Sequence, residues 1–170
     1  AATDLKNTVV SFNKTYTDDG TPTANPYEME VTQLWMYGTF NNYAKDTDKG
    51  YFTGFQEAYS LRQSLANPNL FVYKGAVLPR QTAKDDVGES HAGGVQFKVA
   101  PWHNNVYCYG STADAKRNDH TGYVDAVPGK TEELVGGQVD NRYAYFHIPE
   151  GCNYVEIDIE KMTVVFDVRE

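Results

Sequence analysis

The last thirty residues leave this chain little freedom. From Arg142 to Val168, apolar side chains fall on every second position in three successive runs. Ala144, Phe146 and Ile148 share one face; so do Val155, Ile157 and Ile159, and again Val164, Phe166 and Val168. A period of two is that of a half-buried strand, whose neighbouring side chains point to opposite sides. Pro149-Glu150-Gly151 and Glu160-Lys161 separate the runs as turns, so the three read as an antiparallel meander with one face on a core.

The same grammar extends upstream. In Met29–Phe40, Trp35 and Tyr37 share one face and Leu34 and Met36 the other. Trp35 and Tyr37 thus form either a sheet-face platform or packing. Leu70–Leu78 is a further strand, with Gly75 as a bulge position, and Asn7–Tyr16 suits an edge strand. In Gly94–Gly110, Val95, Phe97 and Val99 alternate with Gln96 and Lys98 until Pro101, which has no N–H to donate, and Val106–Tyr109 lead back. Phe55–Leu65 alone has helical spacing and stops at Asn67-Pro68-Asn69. The stretches 80–94, 111–128 and 129–138 read as loops, the last with at most a short strand.

Seven or so strands with almost no helix predict an all-β fold: an immunoglobulin-like antiparallel β-sandwich with long loops and at most one short helix. Residues 1–32 form a lead-in with an edge strand, and residues 33–170 the sandwich. A chain of 170 residues supports one such core.

Composition narrows the partners. A net charge of −8 without any Lys/Arg cluster disfavours nucleic acid. No apolar run reaches the roughly 20 residues of a membrane-spanning helix. Thirteen tyrosines, each an apolar ring with a polar tip, suit a wet binding surface. No Cys/His spacing of a metal site, no nucleophile elbow and no framed carboxylate pair is present, so the reading is a non-enzyme with no cofactor and no metal. Cys108 and Cys152 suit a disulfide in an oxidising compartment and buried thiols in a reducing one; the sequence leaves both open.

Four pieces in order carry a resemblance: Leu34-Trp35-Met36-Tyr37-Gly38 with Asn41-Asn42-Tyr43; Gln96-Phe97-Lys98-Val99 with Trp102; Tyr145-Phe146-His147-Ile148-Pro149-Glu150; and Tyr154–Ile159 with Thr163-Val164-Val165-Phe166. Over about residues 33–168 the chain resembles the glycan-binding domains of SusE/SusF-type outer-membrane lipoproteins of Bacteroidetes. It departs from them at Asn42-Tyr43, where the family carries Gly-Trp, and in a longer 53–94 stretch. The resemblance implies non-catalytic binding of polysaccharide, above all starch or another α-glucan, at the cell surface or outer membrane. There the full-length protein is lipid-anchored, or otherwise extracellular, with other outer-membrane glycan-uptake proteins as partners. It also implies Tyr43 and Trp102 as the aromatic pair and Lys98 as the cation.

The residues themselves supply chemistry for such a site. An aromatic ring covers the C–H face of a pyranose while polar side chains bond its hydroxyl edge. Trp102 at the tip of a polar loop, followed by His103 and Asn104, with Lys98 four residues before it and Asn42 beside Tyr43, makes that set. Both loops are expected to open on one rim. Covering one sugar face removes roughly 60 Å² of apolar surface, worth about 1.5 kcal/mol, so affinity is weak and depends on multivalency. The alternative is a structural or adhesive sandwich of a surface protein joined through its strand edges.

Overall fold

The structure is a computed structural model and describes residues 14–16, 22–27, 31–44, 57–79, 94–98, 106–113, 123–139 and 145–170. It is all-β, as the alternation predicts. Lys14–Tyr16 (β1) and Pro22–Tyr27 (β2) form a two-stranded antiparallel sheet. The other eleven strands form one curled sheet: Gln33–Gly38 (β3), Ser60–Gln63 (β4), Leu70–Lys74 (β5), Val95–Lys98 (β6), Val106–Gly110 (β7), Tyr123–Asp125 (β8), Thr131–Glu133 (β9), Val135–Val139 (β10), Tyr145–His147 (β11), Tyr154–Asp158 (β12) and Thr163–Asp167 (β13).

The main path runs β10-β7-β6-β3-β4-β5-β12-β13-β9, and β11 branches from β6 to carry β8. The two ends of that path, β9 and β10, are consecutive in the chain with only Leu134 between them. Leu134 is buried, and its N–H donates to Met162 O at 2.9 Å. A sheet whose ends are one residue apart must fold over on itself. The core shows the same thing from inside. Phe97 on β6 and Phe166 on β13 lie five strand steps apart along the path, yet their rings sit 6.2 Å apart. Phe146 on β11 completes the group, 6.5 Å from Phe97 and 5.4 Å from Phe166. All three are fully buried with Leu34, Met36, Leu61, Phe71, Val155, Ile157 and Val164.

Several expectations need correcting. Tyr145–His147 does not join the last two strands in a meander; only β12 and β13 form a hairpin. Instead β11 pairs antiparallel with β6 at Phe146↔Val95 and parallel with β8. The reason lies in residues 149–153: Pro149 and Gly151, at φ 76°, turn the chain, and Cys152 N donates back to Pro149 O, so the next strand enters a different part of the sheet. The helical spacing of Phe55–Leu65 gives a short 3-10 helix, Glu57–Tyr59, followed by β4. There Leu61 fills the core while Ser60 and Arg62 face outward, so strand pairing overrides a weak local period. A second 3-10 helix covers Thr39–Ala44. The stretches read as loops contain β8, β9 and β10, three short strands held by neighbours rather than by their own pattern. Among the described residues no helix is long and apolar enough to cross a membrane. Cys152 is a buried free thiol donating to Tyr154 O at 3.3 Å, and burial pushes its pKa up. Cys108 lies on β7, and its side chain is outside the described residues.

Where β3, β6 and β11 converge, backbones touch. A Cβ on Gly38 would stand 1.7 Å from Gly94 O, and one on Gly94, whose φ is 118°, would stand 2.3 Å from Phe146 O. Neither position tolerates a side chain. Gly38→Ala is therefore expected to cost more than the roughly 1 kcal/mol of a typical substitution and to lower the urea midpoint markedly, a result that urea denaturation followed by tryptophan fluorescence reads directly.

The β12–β13 turn rests on Asp158, whose Oδ1 accepts the N–H groups of Glu160 at 3.0 Å and Lys161 at 2.9 Å. Those bonds, the Lys161 N–H first, hold its carboxyl below the usual 3.8. A lowered folded pKa stabilises the protein above the unfolded value and is lost as pH falls through the folded one. Asp158→Asn should melt below the wild type at pH 7, and the gap should close below about pH 3.8; melting curves of both proteins from pH 7 to 2 measure it.

Candidate functional site

Because strands alternate, the core residues fix which side chains face outward. Leu34 and Met36 point in, so Gln33, Trp35 and Tyr37 point out on β3; Leu61 points in, so Ser60 and Arg62 point out on β4. Phe71 points in, so Val72 and Lys74 point out on β5. Register then lines these residues up. Gln33 lies opposite Arg62, Arg62 opposite Val72, and Val72 opposite Glu156. In the next row Lys98 lies opposite Trp35, and Trp35 opposite Ser60. An open cleft of about 360 Å³ sits on this face, lined by Glu57, Ser60, Arg62, Val72, Lys74 and Gly75 among others.

The cleft is polar and its groups are held. The Glu57 carboxylate accepts hydrogen bonds from Gln33 Nε2 at 2.9 Å and from Arg62 at 3.3 Å. Ser60 Oγ donates to Glu57 O at 2.8 Å. At the floor, Tyr73 donates its hydroxyl to Ala76 O at 2.7 Å, and burial pushes its pKa up, so the phenol stays neutral. Lys74 makes no ion pair among the described residues. Behind the cleft, Tyr59 meets Phe40 edge to face at 5.2 Å. Glu57 is the single carboxylate of the lining, and its Oε2 also lies 3.3 Å from Ser60 Oγ. The arrangement is therefore a set of donors and acceptors beside a half-buried indole, which suits reversible binding of a hydroxylated ligand.

Lys98 is the last residue of β6, with its backbone opposite Trp35 and Cys108; its side chain is outside the described residues. Asn42 and Tyr43 lie in the 3-10 helix that follows β3, and their side chains are likewise outside. Trp102, His103 and Asn104 fall wholly outside the described residues. The expected single rim conflicts with the pairing. β3 and β6 run antiparallel, so the chain leaves β3 toward Asn42–Tyr43 at Gly38, beside Val95, and leaves β6 at Lys98, beside Trp35. Those exits are three residues apart along the pair, about 10 Å, and point in opposite directions. Lys98 is joined instead to Trp35 and Ser60.

Gln96 also departs from its pattern. It alternates outward, yet it is 2% exposed, because Tyr37 donates its hydroxyl to Gln96 Oε1 across the β3–β6 pair. The cleft residues Glu57, Ser60 and Arg62 lie in a segment whose spacing predicts helix and hides them; the polar–apolar–polar order of Ser60-Leu61-Arg62 is the signal that points to them.

The Arg62–Glu57 pair is solvent-exposed, with 76% and 63% of the side chains open. Exposed pairs contribute about 0–1 kcal/mol, so Glu57→Gln and Arg62→Ala should leave the urea midpoint nearly unchanged, which makes both clean probes of binding. The chain matches no protein-family model, no curated protein and no solved structure.

Proposed function

We propose that this protein is a non-catalytic carbohydrate-binding domain whose ligand is a polysaccharide of the α-glucan class, held at the bacterial cell surface. The observation that carries this reading is the row Lys98–Trp35–Ser60 running into a polar cleft on an open sheet face. An indole beside Gln33, Glu57, Ser60 and Arg62 matches what a pyranose presents, a C–H face and a hydroxyl edge. Trp102, His103 and Asn104 follow Lys98 within six residues and belong to the same proposed site from the neighbouring loop. Asn42 and Tyr43 leave the sheet at the other end and form a separate contact in this reading.

The test is electrophoresis of the folded chain through gels containing starch, xylan, mannan, pectin or levan. Starch should retard the wild type. Trp35→Ala and Trp102→Ala should each remove most of the retardation, at least tenfold in affinity, as expected of an aromatic hot spot. Arg62→Ala should weaken it less, because an exposed cation meets a neutral ligand. Retardation by no glycan overturns the reading, and retardation by another glycan alone moves the ligand class.

A further inference from the structure

Away from the cleft, β8 and β11 pair in parallel over Tyr145↔Tyr123, Phe146↔Val124 and His147↔Asp125. Phe146 and Val124 face the core, so Tyr123, Asp125 and His147 share the outer face. There the rings of Tyr123 and His147 stack, 3.9 Å between centroids and 13° between planes. Asp125 Oδ1 lies 2.8 Å from His147 Nδ1. The carboxylate fixes the imidazole, and the imidazole supports one face of the phenol ring. Tyr123 remains 45% exposed and the Asp125 side chain 76% exposed.

We propose that Tyr123 and Asp125, braced by His147, form a second sugar-binding platform distinct from the cleft; this rests on the carbohydrate-binding reading above. A ring braced on one face by its neighbour and 45% exposed is suited to cover the C–H face of a pyranose at little entropic cost. Asp125 is aligned by Oδ1 alone among the described residues, which leaves its second oxygen to accept a hydroxyl at the ring edge. An ammonium ligand fits less well, because cages for such cations place several rings around the charge, and among the described residues of this strand pair Tyr123 is the exposed aromatic. The platform lies on the outer face of a branch from β6, and the cleft lies two strands beyond β6 on the other side. Two spaced contacts let a weak domain hold one long polymer through effective concentration.

Calorimetric titration of the full chain with maltoheptaose, together with melting curves, tests this. The wild type should show two sites. Tyr123→Ala should lose one site while the cleft site keeps its affinity, Tyr123→Phe should retain both, and Asp125→Asn should weaken the second site about tenfold. A bystander stack that merely pins β8 would lower the melting temperature of Tyr123→Ala without changing stoichiometry, and that result overturns the proposal. Should Tyr123→Ala fail to fold, maltoheptaose-induced shifts of the amides of residues 123–125 and 145–147 in the wild type decide: shifts support the platform, and their absence overturns it. A wild type with one site lost on Trp35→Ala overturns the second platform alone, whereas no binding of maltoheptaose or of any other oligosaccharide overturns both readings.

Discussion

Everything in this sheet depends on two backbones touching at Gly38 and Gly94. With no Cβ on either residue, β3 and β6 come together and the Phe146 carbonyl of β11 approaches from the far side. The Gly94 N–H also donates to Thr39 Oγ1 at 3.1 Å, and the Gly38 N–H donates to Asn41 Oδ1 at 3.0 Å. A crowded crossing of this kind is stable only if its polar groups are satisfied, since an orphaned buried donor costs about 1–3 kcal/mol. The crossing sets the position of β6, and β6 in turn carries Phe97 into the core and Lys98 to the row that ends in the cleft.

The same junction explains the chemistry of the outer face. Near Gly38 the outward residues Tyr37 and Gln96 are buried and spend their polarity on each other. Beyond the half-buried Trp35 and the buried Ser60, Arg62 and Glu57 of the cleft stand open to solvent. Polar groups committed internally hold the sheet, and polar groups left facing water are those available to a ligand. At the far margin, Arg169 lies 3.3 Å above the Tyr154 ring and bonds Asp167 at 2.8 Å, so those charges belong to the end of the chain rather than to a site.

Alternation made most of the fold legible. Leu34, Met36, Phe97, Val155, Ile157, Val164 and Phe166 occupy the core faces that their period assigns, because burial on one side of a strand is a local constraint written every second residue. Pairing is not local, and there the sequence misleads. Phe146 alternates correctly, yet its strand joins β6 and β8 rather than β12. β9 carries Thr-Glu-Glu and β8 only three residues, too short to display a period. The site was harder still. Lys98 was readable as an outward residue, but its neighbours Trp35 and Ser60 come from segments 38 or more positions upstream, related to it only through register. The Tyr123–His147 stack likewise joins residues that no short motif connects.

Leu134 gives the sheet an unusual mechanical character. A single residue links the strand bonded to β13 with the strand bonded to β7, so a tug on either margin is felt at once by the opposite one. Strands at the border of an ordinary open sheet fray one by one; here, detaching β9 drags on β10, and the two margins resist or yield as a pair. Such a clasp closes only after β7 and β13 are both in place, which delays it during folding, since contacts between distant segments form late. Once shut, it converts two vulnerable borders into one shared fastening.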